Sequence, residues 1–166
     1  MRRRWLTALF ALFIAGAAAP AQETHPDGVA RRGDRVMGFS HDKTTHHFRL
    51  FSGGGAIEVT ANDPKDTASR DQIRMHLSHI ARMFAAGDFD APMLIHDRVP
   101  PGVPVLQRLK AEVAYRYEEI DRGGRVRIAT RNAEALAAVH EFLKFQIAAH
   151  QTGDSIAVAG DDQPRK

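Results

Sequence analysis

The strongest constraint on the fold is a pattern that the chain uses twice. In the first copy His46, Phe48 and Leu50 share one parity, Ser52-Gly53-Gly54-Gly55 offers a turn, and Ile57 and Val59 share one parity after it. In the second, Val113, Tyr115 and Tyr117 lead through Asp121-Arg122-Gly123-Gly124 to Val126 and Ile128. Alternation of period two puts such residues on one face of a strand, and a glycine-rich link between two such runs is a hairpin. A shift of 69 positions superposes Gly54-Gly55 on Gly123-Gly124, Ile57 on Val126, Val59 on Ile128, Phe48 on Tyr117 and His46 on Tyr115. Pairing Phe51 with Ala56 sets Leu50 opposite Ile57, Phe48 opposite Val59 and Arg49 opposite Glu58, so apolar residues face a core and an ion pair faces water.

Each hairpin runs into a helical pattern. From Thr67 to Ala86 the apolar residues Ile73, Leu77, Ile80 and Phe84 recur at helical spacing, with Asp71, Arg74, Ser78 and Arg82 opposite, and Gly87 ends the run. Asn132 is an N-cap for a second helix bearing Leu136, His140, Leu143 and Ile147, with Gly153 beyond it. A shift of 63 lays the first stripe on the second. The expected fold is α+β: two β-β-α units forming a four-stranded antiparallel sheet with two helices on one face. The second helix also carries Ala138, Phe142, Phe145 and Ala149 opposite its stripe. A helix apolar on both sides is covered on both sides. Either Met93-Leu94-Ile95 lies over Phe142 and Phe145, or those rings pair two copies in a homodimer.

The flanks read differently. Met1-Arg2-Arg3-Arg4, the apolar run Trp5 to Ile14 and Ala19-Pro20-Ala21 have the order of a secretory signal peptide over residues 1–21. The apolar run is shorter than the roughly 20 residues that span a bilayer, so no span is expected after cleavage. The expected location is periplasmic or secreted. Gln22 to Val36, with Pro26, Gly28 and Gly33, reads as a flexible linker; Met37 to Asp154 reads as one domain, and Ser155 to Lys166 as a disordered tail. Between the units, Pro92 to Pro104 is a stiff crossover, with Pro104 opening a short helix through Leu109.

Charge and composition remove several functions. Taking the leader's three arginines from 23 basic residues leaves 20 against 20 acidic ones, so the net charge of +3 belongs to the leader and points to no nucleic-acid partner. With no cysteine there is no thiol catalysis and no Cys-ligated zinc. Gly53-Gly54-Gly55 lacks the Lys-Ser/Thr of a phosphate loop, and Ser40-His41-Asp42 are chain neighbours that cannot form a proton-relaying triad. No catalytic set is identified.

Nine histidines remain. His76 and His79 are one helical turn apart with Met83 on the same flank, and His41, His46 or His47 could complete a site. Imidazoles with a thioether favour copper, and imidazoles alone suit zinc. Non-catalytic binding of copper or zinc is therefore the first functional expectation. The second is a small-ligand or acid–base pocket in which His46, Tyr115 and His140 converge between sheet and helix. The third is an envelope scaffold that pairs through Phe142 and Phe145. His96-Asp97, in the crossover, has no assigned role.

The runs Gly38-Phe39-Ser40-His41-Asp42-Lys43-Thr44-Thr45-His46-His47-Phe48, Ser69 to Leu77, Pro100-Pro101-Gly102-Val103-Pro104 and Phe142 to Ile147 carry a resemblance across the folded body. The chain resembles a family of small exported bacterial proteins without an established function, whose members sometimes bear the label aspartate carbamoyltransferase. That activity would imply a Ser-x-Arg-Thr-Arg loop and a His-Pro-x-Gln motif. Here Ser69-Arg70-Asp71 lacks the paired arginines, and His25-Pro26-Asp27-Gly28 lacks the glutamine. One domain is also too little chain for two lobes that close over substrates.

Overall fold

The structure, a computed structural model, describes residues 26–160. The expected leader and the segment 22–25 lie outside the described residues, as does 161–166. In chain order the elements are α1 (Pro26–Met37), β1 (Thr44–Phe51), β2 (Gly54–Ala61), α2 (Thr67–Ala86), α3 (Asp90–His96), α4 (Val103–Arg108), β3 (Val113–Ile120), β4 (Gly123–Thr130) and α5 (Ala133–His150). The strands form one antiparallel sheet in the order β1-β2-β4-β3, with α2 and α5 on one face. The fold is α+β, built from two β-β-α units.

The 69-residue shift holds for both ends of every strand, since β1 maps onto β3 and β2 onto β4. Across the middle of the sheet Ile57 pairs with Val126, two residues that the shift itself relates. The units are therefore arranged about an internal two-fold through that pair, and equivalent residues lie on opposite sides of it.

The expected hairpin register is corrected by two residues. Phe51 pairs with Gly54 rather than Ala56, leaving only Ser52-Gly53 as the turn, so Phe48 faces Ile57 and Leu50 faces Gly55. A slip of two keeps every side chain on its own face, and Arg49 still reaches Glu58 diagonally at 3.3 Å. The physical reason is α5. A Cβ on Gly55 would stand 2.2 Å from Leu143 Cδ1, so this glycine belongs in the strand, beneath the helix. The equivalent Gly124 lies under Leu77 of α2 in the same way, 3.2 Å from its Cδ1.

Those two contacts also correct the helix alignment. Leu77 and Leu143 are 66 apart, not 63, and so are the N-caps Asp66 and Asn132, whose side chains accept backbone N–H groups of the first turns. The 66-residue offset superposes the buried residues Ile73 on Val139, Leu77 on Leu143, Ala81 on Ile147 and Ser69 on Ala135. Each helix lies mainly over the hairpin of the other unit, α2 over β3 and β4 and α5 over β1 and β2. Replacing Asn132 by alanine strands the N–H groups of Glu134 and Ala135. The expected loss is about 1 kcal/mol, read as a shift in the urea midpoint without a change in slope.

The expected flexible linker is a helix from Pro26 on. Val29, Gly33, Val36 and Met37 fall at helical spacing, Val36 and Met37 pack on the core, and Arg32 Nε donates to the Ile95 carbonyl of α3 at 2.7 Å. The expected free tail is tied down as far as residue 160. Asp154 accepts from Phe48 N at 2.9 Å and pairs with His47 Nδ1 at 2.8 Å, while Ala159 exchanges backbone bonds with Leu50 and Ser52. Chain 152–159 thereby covers the outer edge of β1, satisfying donors that an edge strand otherwise exposes. Phe142 is 2% exposed and packs on Phe84 and Phe89, and Phe145 lies against His96 with Arg98 over its ring. Phe142 is thus covered within the chain, while Phe145 stays partly exposed beside His96 and Arg98. Among the described residues no helix is long and apolar enough to cross a membrane.

Candidate functional site

The internal two-fold exposes a difference between the halves. Under β3 and β4 the space is filled by rings: Tyr115 and Phe84 stand 5.7 Å apart, and Phe89 and Phe142 complete the packing. At the equivalent place under β1, His46 stands for Tyr115 and His150 for Phe84, again with centroids 5.7 Å apart but stacked. Gln146 likewise stands for Ile80. His96 meets His150 edge-on at 5.1 Å, and Phe39 lies 6.1 Å from His46 and 5.6 Å from His76. One half is a packed aromatic core; the other is an imidazole cluster.

This cluster borders a chamber of about 70 Å³ between β1, β2, α2, α3 and α5. Its walls are mostly apolar, from Phe48, Ile57, Val59, Leu77, Ile80 and Phe84, and its polar lining is His46, His76, His96 and Gln146. Burial pushes His46 down to about 4, helped by the fields of His76, His47 and His41. Burial likewise brings His76 to about 4, with His79 adding, and His150 to about 3, with His46 and His96 adding. His96 is lowered by burial against an opposing bond to Gln146. At neutral pH these rings are uncharged.

Two buried nitrogens here lack partners. His96 Nε2 donates to Gln146 Oε1 at 2.9 Å, which leaves the Gln146 amide nitrogen, a donor, without an acceptor. His46 Nε2 is also buried and unpaired. Such groups normally find partners, because each orphan costs about 1–3 kcal/mol. A molecule in the chamber with a hydrogen-bond acceptor would offer the Gln146 amide nitrogen the partner it lacks.

The expected metal residues do not come together. His41 is exposed and bound to Asp34 and Asp42 at 3.1 and 3.2 Å, while His47 is bound to Asp154 at the edge of β1. His76 turns inward onto Phe39, His79 is exposed on the flank of α2, and Met83 packs on the core. Among the described residues no group of three or more His, Asp or Glu could hold a metal ion. Copper or zinc at His41, His47, His76, His79 and Met83 therefore has no geometric support.

The expected meeting of His46, Tyr115 and His140 is also corrected. Residues related by a two-fold lie across its axis, so His46 on β1 and Tyr115 on β3 occupy opposite edges, separated by three strand spacings, roughly 14 Å, across the sheet and by a further four residues along it, since Glu119 is the β3 residue level with His46. His140 Nε2 donates to the carbonyls of Phe51 and Gly54 at 2.9 and 3.1 Å and so clamps the first hairpin turn. Arg74, its equivalent under the 66-residue offset, holds the carbonyls of Ile120 and Gly123 in the second turn at 3.1 and 3.2 Å. His140 is a structural clamp. Of the pocket residues expected, only His46 is at the chamber. Sequence reasoning misses Gln146 and gives no role to His150 and His96; alignment on the N-caps, which sets Gln146 on Ile80 and His150 on Phe84, is the signal that finds them.

Fold and chamber together define an α+β protein of two repeated units with a small, mostly apolar cavity between sheet and helices, on which three histidines and a glutamine also border. No family model, no curated protein and no solved structure matches the chain.

Proposed function

We propose that this is an exported binding protein that takes a small, uncharged, largely apolar molecule into the chamber under β1. The supporting observation is the chamber's lining. Ile80, Phe84 and Phe142 give it apolar walls, His46, His76, His96 and Gln146 place polar groups on it, and the Nε2 atoms of His46 and Gln146 are buried without partners. Protein interiors are close-packed, and pockets that hold small molecules are apolar with a few placed polar groups. No nucleophile is placed beside a base in the chamber, so the reading is capture rather than turnover. The leader-like residues 1–21 support export.

The test is titration with xenon and with small neutral organic molecules, followed by methyl NMR of Ile57 and Ile80. Saturable shifts are expected, and His46→Phe, which fills the cavity, is expected to weaken binding at least tenfold with the fold retained. Gln146→Leu is expected to weaken only probes that carry a hydrogen-bond acceptor. Absence of saturable shifts for every probe, or binding untouched by His46→Phe, would overturn the reading.

A further inference from the structure

We propose that the outer edge of β3 pairs with the same edge of a second copy of this chain, antiparallel about a two-fold at Tyr117, so that two four-stranded sheets become one. The two edges of the sheet are finished differently. On β1, residues 48, 50 and 52 turn backbone groups outward, and chain 152–159 takes them up through Asp154 and Ala159. The 69-residue shift turns the backbone groups of Tyr115, Tyr117 and Glu119 outward on β3 in the same way. Among the described residues nothing bonds to these groups, and β3 carries no proline or bulge that would stop a further strand. α2 lies over β4 and β2 as well as β3, set back from the edge.

The occupant follows from what the strand carries. A new antiparallel neighbour must set outward residues against outward residues, because these make the hydrogen-bonded pairs. Two copies related by a two-fold meet this rule in only a few registers. Centred on Arg116 the ladder sets two arginines face to face, and centred on Glu118 it sets two glutamates so. Like charges directly opposite are destabilising. Centring on Tyr115 or Glu119 slides the strands apart and leaves fewer pairs. Centred on Tyr117, the ladder sets Arg116 against Glu118 of the second copy on both sides of the axis, and Ala114 against Ile120. Tyr117 then bonds to its own twin and Tyr115 to Glu119, and each such pair exchanges two hydrogen bonds.

Arg116 has a reason to take that neighbour. It is exposed, stands opposite Arg127 across the ladder with β4, and makes no ion pair among the described residues. Glu118 reaches Arg125 and Arg127 at 3.7 and 3.8 Å. A second copy brings a carboxylate to the side of Arg116 that β4 leaves open. The edge is thus complementary to itself in one register and repels itself in the two beside it.

Sedimentation of the protein over a concentration series, with hydrogen exchange followed amide by amide, tests this. One strand edge is a small contact, so half-dissociation is expected at about 10–100 μM. The amides of Tyr115, Tyr117 and Glu119 are expected to exchange freely when dilute and about tenfold more slowly when dimeric, while those of Arg116 and Glu118, bonded to β4, do not change. Arg116→Glu and Glu118→Arg are each expected to weaken self-association about tenfold or more. An equal mixture of the two variants is expected to restore it, because every facing pair is again of opposite charge. A chain still monomeric at about 1 mM, a dimer in which those three amides stay unprotected, or a mixture of folded variants that associates no better than its components overturns the proposal. Should either variant not fold, the exchange pattern of the parent protein decides alone.

Discussion

Acidification from pH 7 to pH 4 is expected to remove most of the protein's stability. The folded rings of His46 and His76 titrate near 4 and that of His150 near 3, whereas an unfolded histidine titrates near 6.5. Between those limits the unfolded chain binds more protons than the native one, so stability falls as pH falls below about 6.5 and the loss is complete only below about 3. Every tenfold drop in a ring's proton affinity on folding is worth about 1.36 kcal/mol, and even after allowance for partial hydration the three rings together reach the order of 5–10 kcal/mol. That rivals the whole stability of an ordinary domain, about 5–15 kcal/mol. Burial pushes Asp154 up, but the bonds it accepts from Thr152, Phe48 and His47 outweigh this and hold it below the usual carboxylate range. It adds to the loss at the acidic end, because those stabilising bonds vanish as it protonates. Thermal melts at steps from pH 7.5 to 4 measure the profile. His150→Phe, which installs the residue found at Phe84 in the other half, is expected to flatten it and to raise the melting temperature at pH 5. A profile already flat in the parent protein would mean that water reaches these rings.

Gly55→Ala is expected to be the most damaging single methyl addition beneath the helices. The new Cβ would stand 2.2 Å from Leu143 Cδ1 and 2.6 Å from the Arg49 carbonyl, a backbone atom that cannot swing aside. The strand or α5 must shift, at a cost of about 3 kcal/mol or more. The symmetry-related Gly124→Ala meets Tyr117 Cε2 at 2.9 Å and Leu77 Cδ1 at 3.2 Å, both side-chain atoms that can yield, so about 1 kcal/mol is expected there. Denaturant unfolding of the two variants side by side separates the cases. Equal losses would show that the clash with the carbonyl is relieved without cost.

Strands and the two long helices are legible in the sequence because their signals are local. The first long helix is expected from Thr67 to Ala86 and is found there, ended by Gly87 in the left-handed conformation. The hairpin turn is harder to read because three consecutive glycines suggest a loop, and only the helix that presses on Gly55 says otherwise. α1 is hidden by its polar composition, although positions 29, 33, 36 and 37 keep a helical period. The tail is hidden for a different reason: its bonds are made by Asp154 and by backbone, to a strand more than a hundred residues earlier in the chain. The chamber is half legible. His46 stands out as a polar residue on a core parity, but its partners depend on which helix covers which hairpin. Aligning stripes of period 3.6 leaves the offset open by about one turn, and an offset of 63 instead of 66 puts His140 where Leu143 belongs, opposite Leu77. Pseudo-symmetry then misleads in its own way, since matching His46 with Tyr115 suggests proximity when a two-fold enforces separation.

The exchange of helices between hairpins bears on how such a chain could arise and be divided. A lone β-β-α segment, cut out at the middle of the polypeptide, would carry a helix with no strands beneath it and a hairpin with a bare greasy side. Its simplest remedy is a twin, each lending its helix to the other, which rebuilds the same sheet from two identical pieces. Duplication and fusion of such a gene would leave both copies free to diverge, and one could keep aromatic rings where the other took up imidazoles.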